Sequence, residues 1–218
     1  QAQLHASISG EQKPLEDIIH DFEVNLLKER LEKHDQEMYL QKGSDELRLF
    51  VENNPNFFDK SQKSELNFNG QDVVVEDAKL TGVIDIVSID SESKTASVID
   101  FKTGKPLESW TRGTEYDKVK AYKYHQQLLF YKILIENSRD FGSLTATEGI
   151  LKFIEPNPAN QPISLSIDYN DEQISRLKLL INKVWRHIQD LDFPDTTHYE
   201  QNLKGILQFE DDMINDNL

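Results

Sequence analysis

The sequence has 218 residues, which is enough to build one well-filled hydrophobic core. It contains no cysteine, and this excludes disulfides, thiolate zinc sites and cysteine-ligated iron–sulfur clusters. The absence of cysteine also fits a reducing cytoplasm, where we expect the protein to be located. The sequence has no run of about 18 apolar residues, so we expect no membrane partner. The formal net charge of −15 is unlike that of a free-standing nucleic-acid-binding protein, which usually has a basic face.

One segment departs from this acidity. Between Lys102 and Lys123 the basic residues outnumber the acidic ones, and the segment carries a net charge of +3. Such a basic island can follow a phosphate backbone, although a solvated helix face is an alternative interpretation. Its candidate contact residues are Lys105, Arg112, Lys118, Lys120 and Lys123.

The first part of the chain is predicted to be helical. Residues 14–52 carry apolar side chains at intervals of three and four, and a polar stretch from Glu32 to Gln36 can bend or divide the helix. Asn53-Asn54-Pro55-Asn56 ends this region. Strand patterns then follow as alternating or β-branched runs over residues 64–68, 73–75, 80–89 and 96–101.

A second group of elements completes the pattern. Residues 117–137 are predicted to form a helix that is apolar on nearly all sides, as expected for a helix buried against a sheet. Strands are predicted over 145–153 and 163–167, and Asn170 is predicted to cap a further helix. The residues after Pro194 are polar with an acidic end and are predicted to form a tail.

This order of elements predicts an α/β fold with a mixed central β-sheet flanked by α-helices. Because no repeat or low-complexity linker interrupts the chain, residues 1–218 are interpreted as one domain. The domain is expected to have an N-terminal helical part at 1–60, a core sheet with flanking helices at 61–191 and a C-terminal tail at 192–218.

The strands at 80–89 and 96–101 are joined by the polar turn Ser91-Glu92-Ser93-Lys94 and are predicted to form a hairpin, and an aspartate interrupts each of them. Asp85 and Asp100 both lie in apolar runs, where an ionised carboxylate is costly unless it is paired or binds a metal. Lys102 is two residues beyond Asp100, so the two side chains point to the same face of a strand. Carboxylate oxygens of this kind suit Mg²⁺ or Mn²⁺, and a nearby ammonium can stabilise charge on a phosphoryl oxygen. The pattern therefore favours phosphodiester hydrolysis.

The helix that follows carries two polar tips on one face. Gln127 and Tyr131 are four residues apart in an otherwise apolar helix, and both tips require partners if they are buried. We expect them to lie against the edge of the sheet that carries the two aspartates. Glu65, on a neighbouring strand, is a further acid that could support the same edge.

Three motifs occur in order: Gly-x-x-Asp at 82–85, Asp-x-Lys-Thr-Gly at 100–104 and Gln-x-x-x-Tyr at 127–131. This series resembles the RecB-like branch of the PD-(D/E)xK nuclease superfamily, and in particular the C-terminal nuclease domain of some bacterial UvrD/Rep-type helicases. The resemblance covers residues 80–131 in its motifs and most of the chain in its order of elements. It implies a restriction-endonuclease-like core and a metal-dependent deoxyribonuclease that acts in DNA repair or recombination.

The resemblance also implies individual roles. The two aspartates and the Phe101 carbonyl would hold Mg²⁺ or Mn²⁺, and Lys102 would be the catalytic lysine. Gln127 and Tyr131 would support these groups from the helix, and the basic island would contact DNA.

One expected feature of the family is missing. Its members usually carry a further metal-ligating histidine in an early helix, after glycine and small residues. His20 lies 65 residues before Asp85, a plausible distance, but it lacks the glycine, as does His5. We expect that motif to precede Gln1, so the chain is interpreted as excised from a larger helicase. Its partners would be single-stranded DNA or strand ends, and helicase motor domains on the same polypeptide.

Other interpretations remain open at this point. Asp85 could cap a loop or pair with a lysine, Asp100 and Lys102 could form a surface ion pair, and Gln127 and Tyr131 could be ordinary polar residues. The chain as a whole could be a catalytically inactive nuclease-like module that binds DNA or a protein. A plain acidic interaction domain would leave the buried charges unexplained.

Overall fold

The structure, a computed structural model, describes residues 9–55 and 57–218. Five helices and seven strands form in the described part of the chain, none of the helices long and apolar enough to cross a membrane. In chain order they are α1 (Leu15–Leu26), α2 (Lys33–Asn53), β1 (Gln62–Asn67), β2 (Val74–Val75), β3 (Ala78–Lys79), β4 (Val83–Asp90), β5 (Thr95–Lys102), α3 (Glu115–Glu136), β6 (Thr145–Phe153), β7 (Ser164–Asp168), α4 (Asp171–Asp190) and α5 (Leu203–Ile214).

The main sheet has five strands in the order β1-β4-β5-β6-β7. The β4–β5 hairpin is antiparallel, as the sequence predicts, and β1 and β7 add antiparallel neighbours at the two edges. Only β5 and β6 are parallel, and α3 connects them because parallel neighbours need a crossover. The prediction of a mixed sheet flanked by helices is confirmed.

The helix α3 packs on this sheet through a nearly all-apolar surface. Leu128, Leu129 and Leu134 are fully buried and share one hydrophobic core with residues of β4, β5 and β6. Gly149 of β6 lets the helix approach closely, since a Cβ atom there would lie 3.1 Å from the Leu128 Cβ. The contact between Leu128 and Gly149 therefore sets the separation between α3 and the sheet, and Leu128 is the residue next to Gln127.

The N-terminal region forms two helices rather than a continuous one. The break lies at residues 27–32, just before the polar stretch that the sequence marks. The Phe22 ring of α1 lies against Gly43 of α2, where a Cβ atom would be 2.3 Å from that ring. Arg48 also pairs with Glu16 at 2.7 Å, so the two helices run antiparallel. A glycine inside α2 thus marks the contact between the helices.

The predicted strand at 73–75 does not join the main sheet. Val74–Val75 pairs only with Ala78–Lys79, in a separate two-stranded sheet. The chain reverses at once, and Glu76 adopts a left-handed backbone with φ 50°. Val73 and Val75 are buried while Val74 is exposed. The three valines therefore pack in a short hairpin, and they do not form a strand of the main sheet.

The C-terminal part is wrongly predicted as a tail. Residues 203–214 form the helix α5, which begins where the Asn202 side chain accepts a hydrogen bond from the Gly205 N–H at 3.0 Å. Gly205 and Met213 are buried. The acidic residues near the end of the chain are typical of a solvated tail, but here they belong to an amphipathic helix.

Those acidic residues hold α5 in place. The Tyr122 hydroxyl of α3 donates to Glu210, and Arg176 of α4 pairs with Glu210 at 3.4 Å and with Asp211 at 2.7 Å. Burial and the Glu210 carboxylate raise the pKa of Tyr122, so the hydroxyl remains a donor. The C-terminal helix is therefore tied to the face of α3 that is turned away from the sheet.

The close contact at β6 gives a stability prediction. We expect Gly149→Ala to lower the free energy of unfolding by about 1–2 kcal/mol, because the new methyl group would press on Leu128 and on the Tyr169 hydroxyl, 2.8 Å away. Urea denaturation measures this difference. Gly104→Ala is the matched control, since a Cβ atom there meets nothing within 4 Å. Equal stability of the two variants would contradict the proposed role of Gly149.

Candidate active site

The candidate site begins where β4 and β5 separate. Their last paired residues are Ile86 and Ile99, and continuing this register places Asp85 opposite Asp100 on the same face. Beyond the last paired residues, the Asp85 side chain takes the place of a main-chain acceptor, because its Oδ2 accepts a hydrogen bond from the Phe101 N–H at 2.8 Å. The carboxylate is thereby fixed at the end of the hairpin.

Asp100 is the centre of a buried polar network. The residue is only 2% exposed, and Oδ1 accepts a hydrogen bond from the Tyr131 hydroxyl at 2.8 Å and another from Gln127 Nε2 at 3.2 Å. Oδ2 lies 2.7 Å from the Lys102 ammonium but receives no hydrogen bond of acceptable direction. One oxygen of a buried carboxylate is thus balanced by a positive charge but receives no hydrogen bond, so its lone pairs are not used by a donor of the described chain.

Lys102 is held on three sides. Its Nζ donates to Gln127 Oε1 at 2.7 Å, pairs with Asp100 and lies 4.3 Å from the centroid of the Tyr124 ring. Sequence reasoning missed Tyr124, which looks like another apolar residue of α3. Its spacing could have revealed it, because it precedes Gln127 by three residues and so lies on the same helical face.

Burial and the negative charge of Asp100 raise the pKa values of the groups around it. Burial raises the pKa of the Asp85 carboxyl, as does the charge of Asp100, whereas the Phe101 N–H and Lys102 lower it. Burial and Asp100 also raise the pKa of Tyr131, so its hydroxyl remains protonated and donates. Two carboxylates facing each other in this setting favour a cation between them.

The donor set fits a hard divalent cation. It contains an oxygen of Asp100 without a hydrogen bond and the facing carboxylate of Asp85. Mg²⁺ is commonly held by one or two carboxylates and completes its shell with water. No three His, Cys, Asp or Glu side chains within residues 9–55 and 57–218 form a group able to hold a metal, so two carboxylates are the acidic ligands on offer.

The structure does not bring the predicted histidine to these carboxylates. His20 is exposed on α1, and His5 lies outside the described residues. Glu65 lies opposite Asp85 in the β1–β4 register but is exposed, with a left-handed backbone of φ 50°. Phe101 lies between the site residues, and its ring packs against Phe50 at 5.7 Å between centroids.

The basic residues of the island lie on the loop after β5 and on the first half of α3: Lys105, Arg112, Lys118, Lys120 and Lys123. Lys105 and Arg112 border a cavity of about 580 Å³. Lys120 donates to the Lys105 carbonyl at 2.8 Å, and Lys118 pairs with Glu115 at 3.6 Å. Lys105, Arg112 and Lys120 therefore lie close together, three residues or more along the chain from Lys102.

Comparison with known proteins gives the family. No curated protein sequence matches the chain. The family model of the PD-(D/E)XK nuclease superfamily matches residues 2–200. Nucleases of this superfamily generally use divalent metal ions and act on DNA, and the mixed five-stranded sheet flanked by helices is consistent with their restriction-endonuclease-like fold. With the match extending over most of its length, the chain belongs to the PD-(D/E)XK nuclease superfamily.

Proposed function

We propose that the chain is a Mg²⁺- or Mn²⁺-dependent deoxyribonuclease of the RecB-like type that hydrolyses phosphodiester bonds at Asp85, Asp100 and Lys102. The observation that carries the proposal is the buried ion pair of Asp100 and Lys102, at 2.7 Å, with Asp85 opposite. A structural ion pair needs neither a second carboxylate nor an open carboxylate oxygen. Both are expected of a site that binds a metal and a phosphate.

The two aspartates and the Phe101 carbonyl would hold the ion. The hydrogen bond from the Phe101 N–H fixes Asp85, while α3 fixes Asp100, so neither carboxylate has to be ordered when the ion binds. A bound Mg²⁺ or Mn²⁺ supplies Lewis acidity toward water and a phosphate oxygen.

Lys102 would stabilise the charge that develops on the phosphate. An ammonium has three N–H donors, and here one is directed at Gln127 Oε1 while the charge is balanced by Asp100. At least one donor is left for a phosphate oxygen. Since the side chain is 15% exposed, substrate can reach it while most of its hydration is removed, and this strengthens the electrostatic effect.

Gln127 and Tyr131 would act through the residues that they hold. Gln127 uses both ends of its amide, accepting from Lys102 and donating to Asp100 and to the Tyr131 hydroxyl at 2.6 Å. This arrangement fixes the amide orientation and the distance between the ammonium and the carboxylate. The two residues are therefore proposed as positioning residues of the site.

We further propose that the domain works with a helicase motor on the same polypeptide, in DNA repair or recombination. The support is the resemblance of the three ordered motifs to helicase-linked nuclease domains. The residues encoded before Gln1 test this proposal directly. An ATP-dependent motor region there would support it, and a protein that starts close to Gln1 would contradict it.

Removal of the lysine charge tests catalysis. We expect Lys102→Ala and Lys102→Gln each to slow the cleavage of single-stranded DNA by about 10²–10³-fold, because glutamine can hydrogen-bond but carries no charge. Cleavage with Mg²⁺ or Mn²⁺ is measured alongside Lys79→Ala, which removes an exposed lysine from β3. Rates for the Lys102 variants within a few-fold of wild type would show that Lys102 is not catalytic.

Metal binding tests the aspartates separately. Calorimetry with Mn²⁺ should show binding heat for the wild type, little for Asp100→Asn, and nearly unchanged heat for Lys102→Gln, because the lysine is not a ligand. Asp77→Asn, which changes an exposed carboxylate, controls for non-specific binding. Equal heat from the wild type and Asp100→Asn would remove Asp100 from the metal site.

The helix residues should act on metal affinity and on rate. Tyr131→Phe removes the hydroxyl that donates to Asp100 at 2.8 Å but keeps the ring, and we expect it to reduce metal affinity or activity by about 10–100-fold. Tyr169→Phe is the matched control, since its buried hydroxyl contacts no hydrogen-bond partner in the described chain. A Tyr131→Phe enzyme equal to this control in both readouts would contradict a positioning role.

A second candidate function is a nuclease-like module that binds DNA or a protein without cleaving. It is favoured by the presence of only two acidic ligands at the site within residues 9–55 and 57–218, and by the net charge of −15. A wild-type chain that binds single-stranded DNA, but does not cleave it with either metal, would select this alternative.

A further inference from the structure

One face of α3 carries polar and aromatic residues in a single line. Counting from the N-terminus of the helix, they are Tyr116, Lys120, Tyr124, Gln127 and Tyr131. The spacing of four, four, three and four residues keeps all five on one side of an α-helix. These residues are called the α3 stripe below. Its inner end contacts Asp100, and its outer end is at the first turn of the helix.

Exposure increases along the stripe away from Asp100. Tyr131 is buried and Tyr124 is partly buried, whereas Tyr116 is 75% exposed. Tyr116 makes no hydrogen bond or ring contact with another described residue, but its hydroxyl contributes to the raised pKa of Tyr124, after burial and Asp100. The stripe is therefore continuous from the buried site to a large aromatic ring in solvent.

The cations beside the stripe are free of carboxylate partners. Within the described chain, no carboxylate lies within ion-pair distance of Lys105, Arg112, Lys120 or Lys123. Lys120 Nζ lies 5.7 Å from the centroid of the Tyr124 ring, and the same ring contacts Lys102. The Tyr124 ring therefore lies between the unpaired ammonium of Lys120 and the paired ammonium of Lys102.

The neighbouring acids are engaged elsewhere. Asp117 forms a capping box with Thr114, in which the hydroxyl donates to its carboxylate at 2.7 Å. Glu115 accepts from the Leu203 N–H at 2.8 Å and pairs with Lys118. Glu115 is thus turned toward α5, while Asp117 is held by hydrogen bonds at the helix N-terminus, which together with the charges of Lys105 and Lys120 lower the pKa of its carboxyl. Asp117 therefore offsets part of the positive charge beside the stripe without forming an ion pair with it.

We propose that the α3 stripe is a binding track for single-stranded DNA, in which the exposed Tyr116 ring stacks on an unpaired base and Lys120 and Lys105 contact the phosphates. The proposal rests on the nuclease function proposed above and extends it to the choice of strand. Stacking on aromatic rings beside a positively charged backbone path is typical of proteins that bind single strands.

The geometry favours a single strand over a duplex. A helix rises about 1.5 Å per residue, so Tyr116 lies roughly 16 Å along α3 from Gln127. A flexible strand can follow this length, with a base on Tyr116 and a phosphate near Lys102. Inside a duplex both faces of each base are covered by neighbouring bases, and only the terminal pair has a free face. A paired strand that passes Tyr116 on its way to Lys102 would therefore lack this contact.

Binding of labelled oligonucleotides tests the track. Fluorescence anisotropy uses an oligothymidylate of about 15 nucleotides, within the range of known single-strand sites, in a chelator so that no cleavage occurs. We expect Tyr116→Ala to weaken binding by about 5–150-fold, the effect of removing a stacking ring, and Tyr116→Trp to retain affinity. Tyr39→Ala is the matched control, because Tyr39 is an exposed tyrosine on α2.

Further ligands and a rate measurement sharpen the test. A blunt duplex should bind Tyr116→Ala and wild type equally, and saturating single-stranded DNA should be cleaved by Tyr116→Ala at nearly the wild-type rate, with the loss confined to KM. Unchanged affinity of Tyr116→Ala for the oligothymidylate would overturn the proposal. So would an equal loss for the duplex, or tighter Tyr116-dependent binding to an oligoribonucleotide.

The two proposals fail separately. If Lys102→Ala abolishes cleavage but Tyr116→Ala binds normally, the nuclease function stands and the track does not exist. If the wild type does not cleave DNA, and Tyr116→Ala binds single-stranded DNA more weakly than the wild type does, the track stands and the nuclease proposal fails.

Discussion

The site depends on one buried carboxylate. An ionised group that is 2% exposed is strongly destabilising unless its charge and its hydrogen-bonding capacity are met, and the surroundings of Asp100 meet most of both. Lys102 comes from the same strand, two residues on, while Gln127 and Tyr131 come from α3. The network therefore forms only when the helix is docked on the sheet, so that folding and assembly of the site are one event.

The position of α3 is fixed from both sides. On one side its apolar face meets β6 at Gly149, and on the other Tyr122 is tied to Glu210 of α5. Gln126 donates to the same tyrosine at 2.9 Å, directly beside Gln127, which holds the catalytic candidate Lys102. The adjacent residues Gln126 and Gln127 thus connect α5, through Tyr122, to the site. The position of α5 can therefore affect the position of Lys102.

Much of this arrangement can be predicted from sequence because it follows from periodicity. Strand alternation places Asp100 and Lys102 on one face, hairpin pairing brings Asp85 opposite, and helical spacing aligns Gln127 with Tyr131. These residues lie inside regular elements, where position determines direction. Their contacts agree with the pattern, although the chemical roles stay predictions.

The remaining features depend on long-range contacts that periodicity does not encode. Helical spacing places Tyr124 on the face of Gln127, but its contact with the Lys102 ammonium depends on how α3 docks on β5. The acidic run of α5 resembles a solvated tail until the Tyr122 hydroxyl and Arg176 are placed against it. His20 has a suitable sequence distance but lies exposed on a helix that packs on α2, since chain separation does not determine spatial separation.

The net charge of −15 is compatible with a polyanionic substrate when distance is considered. At physiological ionic strength the Debye length is about 8 Å, so exposed acids far from the α3 stripe are largely screened, whereas the unpaired cations on and beside the stripe act at contact. Four such cations would give a salt dependence with a slope of only about −3 for a single strand, shallow for a nucleic-acid-binding protein. Electrostatic attraction alone would then hold DNA weakly. A protein with this charge distribution needs a second, salt-insensitive contribution to affinity, and an exposed aromatic ring beside the cations is the physical means of providing it.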